Sequence, residues 1–225
     1  MSSIYQRALG SEFGKLHPQI QRRFSLTADG GMASIGTGRM ERLWHGKFYT
    51  LPFLYIGTWR SIMFPEYGRD VPFTIQNYAY RDALGRETVT WVRTFETRKR
   101  RRFDAYMIWS QRRGCIVDYL GTHQHLAVDL DVRVAENGGI RIRSGEQRFY
   151  EGPVGFEFPL LFSGVADVCE WYDDAAQCFR ITVSAENHRW GKLFGYEGSF
   201  QCEWLQVKPS EVPSEILPRR LEARE

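Results

Sequence analysis

The sequence predicts a mainly β fold, an antiparallel meander of about eight to ten strands with short N-terminal helices packed on it. Three observations predict it. Aromatic residues make up 15% of the 225 residues, which suits wide, half-buried sheet surfaces. From Val71 onward, apolar and polar residues alternate in short segments separated by turn-forming residues. The turns are too short for parallel crossovers, so neighbouring strands run antiparallel and form either a barrel or a sandwich.

The first 64 residues predict short helices and little sheet. Ser3 is a suitable N-cap for a helix over residues 4–9, and a proline can begin a second helix over residues 18–24. The other elements predicted in this part are a turn at 29–31, a weak glycine-interrupted strand at 32–43 and a helix at 51–64.

The alternating segments begin with a predicted hairpin. Val71, Phe73 and Ile75 share one strand face, the residues 82–85 form a turn, and residues 87–97 return as a strand. Gly, Asn and Asp mark several of the later turns. The further strands predicted are 102–110, 115–120, 125–134, 140–149, 166–172, 179–185 and 196–207.

Length and linker composition favour a single domain, because no Pro/Gly/Ser-rich stretch divides the chain. We expect an N-terminal helical or irregular part (1–64), the β meander (65–208) and a polar C-terminal tail (209–225). The formal charge of +3, with basic and acidic residues interspersed, gives no reason to expect a nucleic-acid partner.

Targeting, metal and cofactor motifs are not found in the sequence. The N-terminus has no apolar core of the kind that a signal peptide needs, and no run approaches the ~18 apolar residues of a transmembrane segment. We therefore expect a cytoplasmic protein. The four cysteines lack CxxC spacing, and no dinucleotide, Walker or nucleophile motif occurs, so neither a metal site nor a cofactor is expected.

An arginine stands between two aromatic residues in the predicted strand over 87–97. Side chains two apart share a strand face, so Arg93 lies beside Trp91 and Phe95. A guanidinium inside a barrel needs an anionic partner, either from the protein or from a ligand. The alternative is structural, an arginine that extends to solvent or pairs with Asp118 or Glu170.

Two carboxylates interrupt segments that are otherwise apolar or aromatic. These are Asp118 in 116–120 and Glu170 in 168–172. Apolar surroundings raise the pKa of a carboxyl and suit it to act as a general acid or base. In the more common arrangement such a carboxylate pairs with an arginine or lies on the outer face of its strand.

Five consecutive basic residues, 98–102, lie between two predicted strands. As a hairpin tip they would be solvated and would protect a sheet edge, which is the common case. The functional alternative is contact with an anionic surface such as lipid head groups or RNA.

His123 and His125 would point the same way on a strand, as two metal ligands could. The apolar face of that strand has the opposite parity, and no third ligand stands at a diagnostic spacing. A metal site is therefore not predicted.

Short motifs occur in a defined order along residues 4–205. They are Tyr5-Gln6-Arg7-Ala8-Leu9-Gly10, Leu16-His17-Pro18, Arg22-Arg23-Phe24, Phe64-Pro65, Val71-Pro72-Phe73, Trp91-Val92-Arg93-Thr94-Phe95, Asp118-Tyr119-Leu120-Gly121 and Tyr196-Glu197-Gly198. Their order resembles an uncharacterised bacterial family, the domain of unknown function DUF4166. This domain is best known as the C-terminal part of saccharopine-dehydrogenase-like oxidoreductases and of YndJ-like membrane proteins, and it also occurs alone. The resemblance implies no established activity, but it does imply a possible oxidoreductase partner.

Three functional hypotheses follow. The leading one is a binding module whose barrel encloses a small amphipathic, anionic molecule. The second is a cofactor-free cyclase or isomerase in which Asp118 or Glu170 moves a proton. The third is a docking domain without a sizeable cavity. In the leading hypothesis Arg93 holds the anionic head, and the apolar part is lined by Trp91, Phe95, Tyr119 and Tyr196.

Overall fold

A closed antiparallel β-barrel forms the body of the protein in a computed structural model that describes residues 2–158 and 164–225. Three short α-helices accompany it within these residues: α1 (Ile4–Leu9), α2 (Pro18–Phe24) and α3 (Leu51–Thr58). The strands are β1 (Met32–His45), β2 (Gly68–Arg81), β3 (Glu87–Phe95), β4 (Arg101–Ser110), β5 (Cys115–Leu120), β6 (Leu126–Val134), β7 (Ile140–Glu151), β8 (Val154–Glu157), β9 (Val165–Asp173), β10 (Cys178–Asn187) and β11 (Gly191–Gln206).

Two pairings close the barrel, one between β7 and β9 and one between β11 and β1. Strands β1 to β7 pair with their chain neighbours, β7 then pairs with β9, and the circuit continues through β10 to β11, which pairs with β1. Strand β8 is outside the circuit and pairs only with the end of β7. The predicted antiparallel meander is confirmed, and its closure into ten strands decides for a barrel over a sandwich.

The first two helices have the bounds that the sequence predicts. A capping box fixes α1, since the Ser3 hydroxyl accepts from the Gln6 N–H and the Gln6 side chain accepts from the Ser3 N–H. The third helix ends at Thr58 rather than at residue 64, because the chain reverses at Ser61, which has a φ of 57°. No helix among the described residues is long and apolar enough to cross a membrane.

Helical segments cover both ends of the barrel. At one end, α1 and α2 insert buried side chains such as Ile4, Tyr5 and Phe24 into the core. At the other end, the connection 46–67 carries α3 and contributes the fully buried Phe64. We refer to this second end as the α3 end.

The C-terminal residues pack along the outside of the barrel. Ile216 is fully buried against Tyr78 and Val92, which face outward from β2 and β3. Farther along, the Tyr119 hydroxyl donates to the Arg224 carbonyl at 2.9 Å. Because this segment covers one side of the barrel, all residues from Thr88 to Phe95 of β3 are buried, on both strand faces.

The sequence reasoning did not find β8. Its four residues are all exposed and show no alternation of buried and exposed positions, so no periodic signal marks it as a strand.

Candidate functional site

Arg93 lies inside the barrel, on the same face of β3 as Trp91 and Phe95. Its side chain is buried, with the residue only 3% exposed. The Nη1 donates to the Tyr196 hydroxyl at 3.1 Å, and Nε donates to the Phe103 carbonyl at 3.2 Å. The guanidinium carbon stands 3.7 Å from the centroid of the Phe103 ring, an arrangement that favours a cation. The residue therefore does not extend to solvent.

The guanidinium of Arg93 has no ion-pair partner among the described residues. An arginine carries five N–H groups, and two of those on Arg93 are used in the bonds to Tyr196 and Phe103. The remaining donors are free for an acceptor. The carboxyls of Asp118, Glu170 and Asp104 act on Arg93 electrostatically, but none of them contacts its guanidinium directly.

Asp118 faces the same interior from β5. Its Oδ1 is buried and has no hydrogen-bond partner among the described residues. Burial raises the pKa of Asp118 from an ordinary 3.8 to about 7, and the positive charge of Arg93 opposes the shift. The carboxyl therefore exchanges its proton near neutral pH, which is the range in which a general acid or base works best.

Glu170 is also interior, but it is already paired. The Nε of Arg23, on α2, donates to Glu170 Oε1, and both side chains are almost completely buried. Burial raises the pKa of Glu170, while the adjacent guanidinium of Arg23 opposes the shift. The structural alternative predicted for Glu170, pairing with an arginine, is what the structure shows, with Arg23 rather than Arg93 as the partner.

Tyr5 brings a hydroxyl to the same region from α1. Its hydroxyl donates to the Met107 sulfur at 3.2 Å. Burial raises the pKa of Tyr5, and the nearby carboxyls of Asp118 and Glu170 add to the shift. Tyr5 is thus a protonated donor beside Asp118.

Sequence reasoning missed both Arg23 and Tyr5. For Arg23 a signal existed, because Ile20, Arg23 and Phe24 have the i, i+3, i+4 spacing of one helix face, and all three are buried. For Tyr5 only the docking of α1 on the barrel supplies the information.

The predicted aromatic lining is only partly brought together. Trp91, Phe95 and Tyr196 lie in the interior, and the rings of Phe95 and Tyr196 are 5.0 Å apart. Tyr119 is not with them. Successive side chains of a strand alternate between faces, so Asp118 inside places Tyr119 outside, where it packs beneath the C-terminal segment.

The two histidines lie at the turn before β6. Their rings stack with centroids 5.6 Å apart, and His125 is buried while its Nδ1 faces the Tyr150 carbonyl. The residues that the structure describes contain no group of three potential metal ligands.

Comparison with known proteins identifies the family. The sequence profile of the domain of unknown function DUF4166 matches residues 16–200. The chain belongs to this family. The predicted resemblance to DUF4166 is confirmed, and Arg93, Asp118, Glu170 and Tyr196 all lie within the matched range, whereas Tyr5 precedes it.

One curated relative of this DUF4166 chain is an uncharacterised protein of Bacillus subtilis (strain 168), YndH. The two are 35% identical over 204 residues, which cover 90% of this chain and 98% of YndH. No solved structure matches the chain significantly.

Two chemical capacities follow from the geometry. The free donors of Arg93 can bind a carboxylate, sulfonate or phosphate oxygen. The carboxyl of Asp118 can accept or release a proton near pH 7, with the Tyr5 hydroxyl close to it.

Proposed function

We propose that the barrel interior binds a small amphipathic molecule whose anionic head is held by Arg93. The observation that carries the proposal is a buried guanidinium without an ion-pair partner among the described residues. A buried guanidinium without a direct anionic contact is costly, and a bidentate anion would lower that cost while fixing the orientation of the ligand.

The interior limits the size of such a ligand. Aromatic rings fill the space toward the α3 end. The ring centroids of Phe64 and Phe73 lie 4.9 and 5.0 Å from the ring centroid of Phe95. A ligand therefore needs a short apolar part, or these rings must turn aside to admit it. The buried Arg23–Glu170 pair lies at the opposite end, and separating that pair to admit a ligand there would be costly.

Protonation of Asp118 should control this binding. Below about pH 7 the carboxyl of Asp118 is neutral and no longer offsets the charge of Arg93. Above that pH the ionised carboxylate competes electrostatically with an anionic ligand for Arg93. The affinity for an anion is therefore expected to fall as the pH rises through 7.

The first test is native mass spectrometry of the purified protein, followed by denaturing extraction of any molecule that leaves with it. The second is titration with anilinonaphthalene sulfonate, whose sulfonate stays ionised throughout the pH range used. Arg93→Gln should abolish saturable binding, whereas Arg133→Gln, on the solvent side of β6, should not. Asp118→Asn should bind at least as tightly as the wild type and should lose the pH dependence.

Equal binding by the wild type and Arg93→Gln would refute the proposal. Tyr196→Phe provides a milder variant in case Arg93→Gln does not fold, because it removes one hydrogen bond to Arg93 and keeps the ring. It should weaken binding by about tenfold or more, since one hydrogen bond to a charged group contributes about 1.5 to 3 kcal/mol.

A second function is favoured by the pKa of Asp118. A carboxyl that titrates near 7 inside an apolar barrel is suited to proton transfer without a cofactor, as in a cyclase or isomerase. In that case Asp118→Asn should abolish conversion of a co-purifying molecule, while the molecule itself stays bound. Conversion that survives both Asp118→Asn and Glu170→Gln would exclude this function.

A docking role toward an oxidoreductase remains a further prediction. It comes from the domain combinations of the family and from no contact in the barrel. Co-purification with the product of a neighbouring oxidoreductase gene would support it, and a filled interior that binds no anion would favour it over the first proposal.

A further inference from the structure

Large apolar side chains are exposed mainly at one end of the barrel. The described residues contain eleven such side chains, and eight of them lie at the α3 end. Phe48 and Trp59 are 80% and 84% exposed, and a cluster of exposed apolar side chains marks an interaction surface. The eight are Phe48, Tyr55, Ile56, Trp59, Tyr67, Val154, Phe156 and Trp190.

The strand directions bring these residues to one end. Strands β1, β3, β5, β7 and β10 end there, and β2, β4, β6, β9 and β11 begin there. Direct contacts also join the connections. The Tyr49 hydroxyl donates to the Trp190 carbonyl at 2.9 Å, and Arg101 pairs with Glu66 at 2.5 Å. The α3 end is therefore one continuous surface.

Basic residues are concentrated at the same end. The segments 46–67, 96–100, 121–125, 152–158 and 188–190 carry six lysines and arginines against three acidic residues, whereas the whole chain carries 30 against 27. Two of the three acidic residues are paired, Glu66 with Arg101 and Glu96 with Arg100. The six basic residues are Lys47, Arg60, Arg98, Lys99, Arg100 and Arg189.

The combination of exposed aromatic side chains and surrounding basic residues is the pattern of a surface that lies on a membrane. Aromatic rings partition into the head-group region, and lysines and arginines contact lipid phosphates. A second copy of the chain fits less well, because a two-fold contact would place the basic residues of both copies against each other.

We propose that the α3 end docks on an anionic lipid bilayer. Phe48, Trp59 and their exposed neighbours enter the head-group region, and the basic turn at 98–100 lies over the phosphates. The helix α3 lies along the surface and does not span it, since it has only eight residues. This docking does not depend on a ligand inside the barrel.

The test is co-sedimentation of the full chain with vesicles of phosphatidylcholine, either alone or mixed with phosphatidylglycerol. We expect binding to the mixed vesicles that weakens as salt is added, and much weaker binding to phosphatidylcholine alone. A blue shift of tryptophan fluorescence on binding, reduced in Trp59→Phe, would place the α3 end at the bilayer. Equal binding to both kinds of vesicle, or none to either, would overturn the proposal.

Matched variants separate the α3 end from the rest of the surface. Because each basic side chain near an anionic bilayer strengthens binding about fivefold, the triple variant Arg98→Gln, Lys99→Gln, Arg100→Gln should weaken binding by roughly 125-fold, or about 25-fold if the charge of Arg100 is fully offset by Glu96. Trp59→Ser should lose about tenfold. The controls are Arg133→Gln with Arg141→Gln, and Leu84→Ser, which are exposed changes at the opposite end.

The variants and controls also distinguish a lipid bilayer from a second copy of the chain as the partner of the α3 end. If they weaken vesicle binding as much as the α3-end variants, the contact is non-specific and the proposal fails. If Trp59→Ser instead converts a dimer to a monomer in light scattering and leaves vesicle binding unchanged, the surface serves a second copy and the proposal fails. All substituted side chains are exposed, so unchanged thermal unfolding will show that each variant is folded.

Discussion

Replacing Asp118 by asparagine should stabilise the protein at alkaline pH and have little effect at acid pH. The carboxyl ionises near pH 4 in the unfolded chain and near pH 7 in the folded barrel. Between these values the folded state binds more protons than the unfolded state, so the free energy of unfolding falls as the pH rises. The loss is complete above about pH 8, where both states are ionised.

The pKa gives the size of this effect. A displacement from 3.8 to about 7 corresponds to about 4 kcal/mol at high pH, of which about 3 kcal/mol develops between roughly pH 5 and pH 8. Asparagine has nearly the same shape and cannot ionise. The stability of Asp118→Asn relative to the wild type should therefore increase by about 3 kcal/mol over that range.

Urea unfolding of both proteins at the two pH values measures the difference, and the contributions of all other titrating groups cancel. Asp131→Asn is the control, because Asp131 is a half-exposed carboxylate on the outer face of β6. Its relative stability should change by less than about 0.5 kcal/mol. If Asp118→Asn shows no more pH dependence than this control, the carboxyl is not desolvated and the reasoning is wrong.

Two further predictions concern buried contacts. Glu170→Gln leaves the Arg23 guanidinium without its ion-pair partner and should lower the free energy of unfolding by about 3 to 5 kcal/mol. The control is Asp167→Asn, which breaks the exposed pair with Arg141 and should cost less than about 1 kcal/mol. Similar losses in urea unfolding would contradict this. Removal of residues 218–225 uncovers the outward-facing tyrosines beneath the C-terminal segment and should cost about 3 kcal/mol or more. An unchanged unfolding midpoint would show that this segment does not contribute.

Local features of the sequence predicted the secondary structure well. The helices at 4–9 and 18–24 follow from their caps and apolar spacing, and the strands follow from alternation between turns. These signals involve only residues that are close in sequence, so they can be recognised without knowledge of the fold. The misses, β8 and the end of α3, fall where periodicity is weak or where a positive φ at Ser61 breaks it.

The candidate site depends on which strand faces point into the barrel, and local sequence patterns do not determine this. Alternation states that Asp118 and Tyr119 face opposite ways, but it does not say which of them faces inward. Asp118 and Tyr119 are adjacent on one strand and therefore cannot both face the interior. The closed barrel decides for Asp118, because the C-terminal segment covers the other face of β5 and gives Tyr119 a buried position outside.

The sequence by itself determined all the strands of the barrel, the first two helices, the family and the shared strand face of Trp91, Arg93 and Phe95; the structure decided that this face is the inner one. Only the tertiary structure decided which distant groups meet. Arg23 and Glu170 pair across 147 residues, and the connections that form the α3 end are brought together by the closure of ten strands. Such contacts depend on the topology of the closed barrel, which fixes neighbours that no local pattern of residues specifies.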